Sequence, residues 1–159
     1  MNTVYLALGT NLGDRLANIE AVLAALPPQV LLVQRSPIYQ TAPWGYPDQP
    51  DYLNLVVKGE TELSPEKLLA YLKQIEVELG RRPTIRYGPR LIDIDILFYD
   101  DLVVVTPDLI IPHPSLHERP FVLVPLADLD PDLVHPFMCK TVQELLEEAG
   151  REGVIAYAA

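Results

Sequence analysis

Nine consecutive residues, Leu91-Ile92-Asp93-Ile94-Asp95-Ile96-Leu97-Phe98-Tyr99, restrict the possible folds more than any other stretch of the chain. β-Branched and aromatic residues dominate the run, which favours an extended strand. Side chains of a strand alternate between faces, so Ile92, Ile94, Ile96 and Phe98 are expected to share a face turned to a core. Asp93 and Asp95 then share the opposite face, ~7 Å apart at ~3.4 Å rise per residue. The sheet that holds this strand must be covered on one face and must accept two neighbouring carboxylates on the other.

The elements around this strand are legible from periodicity and capping. Residues 4–8 read as a first strand, and Gly9-Thr10-Asn11-Leu12-Gly13-Asp14 turns the chain. Leu16, Ile19, Val22, Leu23 and Leu26 recur at helical spacing until Pro27-Pro28 stops the pattern. Residues 30–39 read as a strand bent at Pro37, 40–51 as a Pro- and Gly-bearing loop, and 52–58 as a third strand. Ser64-Pro65-Glu66 is a helix start, with a buried stripe Leu68, Leu69, Leu72, Ile75 and Leu79, and Gly80 as the terminal cap. A short strand at 103–105, a loop and short helix within 112–125, and a capping box at Thr141 opening a helix to Gly150 complete the order βαββαββαα. That order predicts an α+β fold, an antiparallel or mixed sheet with helices packed on its faces, rather than a doubly wound nucleotide fold.

With 159 residues, one domain over 1–159 is expected. Hydrophobic residues make up 49% and charged residues 21%, which excludes a disordered chain. No apolar run approaches the ~18 residues of a membrane span. The single cysteine, Cys139, cannot form an internal disulfide, and no basic leader precedes the first strand. A cytoplasmic protein is therefore expected. A net charge of −10 argues against a nucleic-acid partner. Yet four of the twelve Lys and Arg residues, Arg81, Arg82, Arg86 and Arg90, fall just before the Asp-bearing strand. A local cationic cluster on an acidic chain points to a small anionic ligand.

Two carboxylates on one strand face repel each other unless a cation relieves them. Hard oxygen ligands favour Mg²⁺, which usually arrives with phosphates attached. The arginines could then clamp phosphate oxygens. The competing reading is a solvated sheet face on which Asp93 and Asp95 simply pair with Arg86 and Arg90. Residues 9–14 lack the G-K-[ST] ending of a P-loop. His113 and His117 have helical zinc spacing, but Pro114 follows His113 and no third ligand is evident. His113 beside Arg119 suits a phosphate better. Trp44, Tyr52, Tyr87 and Phe121 are either core aromatics or a stacking slot for a flat ring. Asn54, on the face of Tyr52, could hydrogen-bond such a ring. Glu76, taken alone, reads as a surface charge.

The run Arg86-Tyr87-Gly88-Pro89-Arg90-Leu91-Ile92-Asp93-Ile94-Asp95-Ile96-Leu97 closely resembles the signature of the 6-hydroxymethyl-7,8-dihydropterin pyrophosphokinases of folate biosynthesis. Residues 9–14, the stretch from Tyr39 through Asn54, and Pro112-His113-Pro114 with Glu118-Arg119-Pro120-Phe121 resemble that family's other motifs, in order. The resemblance implies a ferredoxin-like sandwich, usually monomeric, that transfers the pyrophosphoryl group of ATP to the hydroxymethyl oxygen of the pterin. It implies that Asp93 and Asp95 bind two Mg²⁺ ions, with Arg81 and Arg90 also catalytic. Glu76, Arg81, Arg90, Ile96, His113 and Arg119 would contact ATP. Tyr52 and Phe121 would sandwich the pterin, with Asn11, Thr41, Pro43, Trp44, Asn54 and Asp93 completing its pocket. Pro83 and Asp108 depart from the family pattern, on the nucleotide side. The rival readings are a nucleotidyltransferase, which releases pyrophosphate, and a non-catalytic binding module in which the Asp and Arg residues form only surface ion pairs.

Overall fold

The structure, a computed structural model, describes residues 1–42, 49–80 and 91–157. Its frame is a six-stranded sheet in which every pairing is antiparallel. Strand β1 (Asn2–Thr10) leads into helix α1 (Arg15–Ala25), followed by β2 (Val30–Arg35), β3 (Tyr39–Thr41), β4 (Tyr52–Thr61) and α2 (Pro65–Glu78). The Asp-bearing strand is β5 (Asp93–Tyr99). A small hairpin of β6 (Val104–Val105) and β7 (Ile110–Ile111) follows, then a 3₁₀ turn (Leu116–Glu118) and helices α3 (Pro120–Leu129) and α4 (Val142–Ala149). Strand β8 (Ile155–Ala156) returns to the main sheet.

The sheet runs β5-β1-β4-β3-β8, with β2 beside the other half of β4. Apolar residues cover both faces. On one side Val4, Leu6, Leu8, Leu53, Leu55, Val57, Ile92, Ile94 and Ile96 pack with Ile19, Val22 and Leu26 of α1 and Leu68, Leu72 and Ile75 of α2. On the other, Tyr5, Ala7, Val56, Leu97 and Phe98 pack with Val122, Leu123 and Leu126 of α3 and Val142, Leu145 and Leu146 of α4. The Ser64 and Thr141 caps are those the sequence predicts, and Asp14 is a third that it did not single out. Asp14, Ser64 and Thr141 each accept a backbone N–H of the first turn, and Glu144 closes the capping box. Gly80 takes φ +96° just past α2, where a residue with a side chain would be strained.

Two expectations need correction. The predicted strand over 30–39 is two strands. Proline has no N–H to extend a ladder, and the chain breaks at Pro37. Ser36 bridges the gap, since its hydroxyl accepts the Val56 N–H at 3.0 Å and its own N–H donates to Val56 O at 2.9 Å. Phe98 does not share the face of Ile92, Ile94 and Ile96. Tyr5 opposes Phe98 but Leu6 opposes Ile96, so Leu97 is an extra residue in the ladder. Such a bulge reverses the alternation. Leu97 and Phe98 turn to the α3–α4 side, and Tyr99 returns to the α1–α2 side. Among the described residues no helix is long and apolar enough to cross a membrane.

Candidate active site

Upstream of the bulge the alternation holds. Ile94 opposes Leu8 and Ile96 opposes Leu6, all in the α1–α2 core, so Asp93 and Asp95 emerge on the opposite face. Asp95 lies across from Ala7 and Asp93 across from Gly9. On the next strand Gly9 opposes Asn54. Asp93, Gly9 and Asn54 thus form a row across three strands, and adjacent strands are ~4.8 Å apart. Gly9 leaves the floor of that row open. A Cβ built on it would lie 3.2 Å from Asn54 Oδ1 and 3.8 Å from Tyr52 Cδ1.

The Asn54 amide is oriented from the next strand. Its Nδ2 donates to Thr41 Oγ1 at 2.8 Å, and the other end of the amide faces Gly9. Asn11, fully buried, donates to Gln49 Oε1 at 2.7 Å and to Pro50 O at 3.0 Å. Tyr52 shares the Asn54 face of β4, as alternation requires. Phe121 sits in the first turn of α3, with the Arg119 guanidinium 5.8 Å from its ring centre. Helix α3 packs on this side of the sheet, so Phe121 and Tyr52 belong to the same side of the molecule.

Asp95, Ile96 and His113 gather at the free edge of β5. A cleft of about 270 Å³ is lined by Leu69 and Lys73 of α2, by Ile94, Asp95 and Ile96, and by residues 107–110 with His113 and Pro114. Burial pushes the His113 imidazole below its usual pKa, and the nearby Arg119 charge adds to this, while Asp95 works the other way. Its Nδ1 accepts the Ser115 N–H at 3.2 Å, which leaves Nε2 as the protonated nitrogen of the neutral ring. Asp95 and Arg119 therefore both lie close enough to His113 to act on its charge.

Glu76 is not a surface charge. It is 3% exposed, and its Oε2 accepts the Ile94 N–H at 2.8 Å. An edge strand leaves outward N–H groups without a neighbouring strand, and a buried carboxylate supplies the acceptor. The periodicity of α2 assigns Glu76 to a polar position, and only the packing of α2 against β5 reveals its partner. The structure also adds residues that the sequence did not single out. Thr10 and Asn18 both donate to Leu91 O, Asn18 at 3.1 Å. The Leu91 side chain lies against Gly13 and Gly80. Arg15 Nη1 donates to Asp51 O at 2.9 Å, and Gln40 Nε2 to Asp51 Oδ2 at 2.8 Å. Local polar bonds of this kind leave no periodic signal in the sequence. Arg81 and Arg90, with Arg82 and Arg86, and Pro43 and Trp44 lie outside the described residues.

Among the described residues no group of three or more His, Cys, Asp and Glu side chains is arranged to hold a metal by itself. Two carboxylates on one face nevertheless suit Mg²⁺, which usually completes its shell with water and phosphate.

An antiparallel α+β protein that gathers two carboxylates and a buried amide on one sheet face is the class that this fold and site define. The family model for 7,8-dihydro-6-hydroxymethylpterin-pyrophosphokinase (HPPK) matches residues 5–131, and the chain belongs to that family. It is 40% identical over 148 residues to the 2-amino-4-hydroxy-6-hydroxymethyldihydropteridine pyrophosphokinase of Aquifex aeolicus, covering 93% of this chain and 92% of that protein. It is 43% identical over 156 residues to the enzyme of the same name from Methylorubrum extorquens, covering 97% and 98%. The folic acid synthesis protein FOL1 of Dictyostelium discoideum is 44% identical over 144 residues, but there the chain covers 91% of itself and only 22% of the longer protein. The same holds for its counterpart in Schizosaccharomyces pombe, of which the chain spans 21%. Among solved structures, a crystal structure of HPPK-DHPS in complex with substrates matches with a TM-score of 0.76 at 16% identity, covering 92% of this chain and 43% of that one. This likeness speaks for the fold alone.

Proposed function

We propose that the chain transfers the β,γ-pyrophosphoryl group of ATP to the hydroxymethyl oxygen of 6-hydroxymethyl-7,8-dihydropterin, giving AMP and the pterin diphosphate for folate biosynthesis. The observation that carries this reading is the row Asp93–Gly9–Asn54. Asp93, one of two carboxylates suited to Mg²⁺, and the Asn54 amide, suited to read a ring edge, share one sheet face with a single side-chain-free position between them. A new oxygen–phosphorus bond forms at the β-phosphate, the bond to the α-phosphate oxygen breaks with its electrons leaving on AMP, and the hydroxyl proton is lost. Little covalent work falls to the protein, so positioning and charge stabilisation supply most of the rate.

Asp93 and Asp95 would hold Mg²⁺, two ions in this reading, which when bound neutralises phosphate charge. Neutral His113 presents Nε2–H, and Arg119 its guanidinium, toward phosphate oxygens, with Arg81 and Arg90 serving the same end. The apolar walls of the β5-edge cleft, including Ile96, take the nucleoside, and Glu76 stands behind that wall. Tyr52 and Phe121 stack on the pterin. Asn54 Oδ1, aimed over Gly9, accepts from its donor edge, and Asn11 and Thr41 border the pocket, to which the family resemblance would add Pro43 and Trp44. The β5-β1-β4-β2 order, with α1 and α2 on one face, supports a ferredoxin-like core. We read residues 1–159 as one pyrophosphokinase domain, because β8 rejoins the same sheet. It would act in the cytoplasm as a monomer without nucleic acid, since one chain supplies every residue named.

The test is the adenine product formed from Mg-ATP and the pterin. AMP with pterin diphosphate supports the reading. ADP would show single phosphoryl transfer, and AMP attached to the pterin would show nucleotidyl transfer. Unchanged ATP with a folded protein would leave only a binding module.

A further inference from the structure

The pterin-side residues depend on a short segment, Gln49-Pro50-Asp51, that runs directly into Tyr52. Each contact holding it comes from a different element. Asn11, just beyond β1, donates to Gln49 and Pro50, Gln40 of β3 donates to the Asp51 carboxylate, and Arg15 donates to Asp51 O. Arg15 is the first residue of α1, half-buried, and its guanidinium lies 5.8 Å from the ring centre of Tyr157. Tyr157 arrives with the C-terminal strand. Ile155 pairs with Gln40 and Ala156 with Tyr39, and the Tyr157 N–H donates to Ile38 O at 3.0 Å. The tail therefore lies along the strand that carries Gln40 and Thr41, and its last described side chain caps Arg15. The family match ends at residue 131, well before this tail.

We infer that Tyr157 is a positioning residue for the pterin pocket, acting through Arg15 on the Gln49–Asp51 segment. An aromatic face over a guanidinium restricts its rotamers and attracts its charge. A fixed guanidinium keeps its hydrogen bond to Asp51 O, and the segment then delivers Tyr52 and Asn54 in binding geometry. Without the ring, Arg15 has freedom to leave, and the segment must be ordered when the pterin binds, at a cost to affinity. The nucleotide cleft lies across the sheet at β5 and has no part in this chain of contacts. The inference rests on the proposed pterin reaction, so the test includes a readout that does not need turnover.

Steady-state kinetics and amide hydrogen exchange are measured on Tyr157→Ala, Tyr157→Phe, Arg15→Gln and the Arg15→Gln/Tyr157→Ala double variant. In Tyr157→Ala, KM for the pterin should rise about 3- to 10-fold, the range a partly exposed cation–π contact controls. KM for ATP should stay within about twofold of wild type on the same ground. Tyr157→Phe, which keeps the ring, should behave as wild type. Arg15→Gln should reproduce the defect with the tail intact, and the double variant should add little to the larger single effect. Amides of Gln49, Asp51 and Tyr52 should exchange faster in Tyr157→Ala and not in Tyr157→Phe. Equal changes in both KM values, additive single effects, or unchanged exchange would overturn the inference. A wild-type protein that forms no AMP would refute the reaction instead, and the exchange data would still decide the role of Tyr157. If Tyr157→Ala does not fold, Tyr157→Leu, which fills the space without an aromatic face, takes its place in the same measurements.

Discussion

Gly9→Ala adds one carbon to the most exacting position of the site. Gly9 does not require an unusual backbone, since it lies within a regular strand between Asn54 and Asp93. Only space is at stake. The new Cβ would lie 3.2 Å from Asn54 Oδ1, closer than comfortable contact, so the amide must move by a few tenths of an ångström. Asn54 cannot move freely, because its Nδ2 is held by Thr41 Oγ1 at 2.8 Å. Relaxation therefore weakens that bond or misdirects Oδ1, and a hydrogen bond of this kind is worth about 1 kcal/mol. Misalignment toward the pterin removes a further bond of similar value, about 1 kcal/mol. Only the second loss enters binding, and ~1 kcal/mol corresponds to a rise of roughly 5-fold in KM or Kd for the pterin. In the proposed reading ATP would enter from the edge of β5, so its KM should be nearly unchanged. Thermal stability should hardly fall, since alanine is better tolerated than glycine in a strand. Steady-state kinetics with each substrate varied in turn, beside a thermal melt, is sufficient. A pterin KM within twofold of wild type, or an equal rise for ATP, would refute the reasoning.

Asp95→Asn should abolish turnover without lowering Tm, because Asp95 belongs to neither apolar core; a collapsed melt would assign it a structural role instead. Glu76→Ala should leave the Ile94 N–H without its acceptor, at about 1–3 kcal/mol. For a chain of this size that lowers Tm by roughly 2–10 °C, and an unchanged melt would contradict the bond. Stability should also fall in mild acid. His135 is buried, with Nδ1 accepting the Phe137 and Met138 N–H groups, and burial, followed by the charge of His117, depresses its pKa. The unfolded chain, with an imidazole pKa near ~6.5, then binds a proton that the folded chain refuses, so the loss begins as pH falls through that value. Melts at pH 7.5 and 5.5 should diverge less in His135→Asn than in wild type, and equal divergence would exclude this cause.

Much of the site could be read from local patterns. Alternation in β5 put Asp93 and Asp95 on one face, and the structure agrees, because a strand's period needs no tertiary partner. The caps at Ser64 and Thr141 were equally legible, since each bonds within its own helical turn. Phe98 was misplaced for the opposite reason. The bulge at Leu97 is defined by the register with β1, and no feature of the run itself announces it. Glu76 shows the same division. Its helix was evident, but its role exists only where α2 meets the open edge of β5. Arg15 and Asn18 were invisible as site residues because each acts through a partner 36 or 73 positions away.

By itself, then, the sequence determined the main helices and longer strands, their order and the chemical types gathered near β5. These follow from propensity, periodicity and charge, which act over a few residues. The tertiary structure alone decided which groups meet. It placed Gly9 between Asp93 and Asn54, set Glu76 on Ile94, and brought Tyr157 onto Arg15. Strand order, register and helix docking are settled by burial summed over the whole chain, and a contact between distant residues exists only after that sum is made.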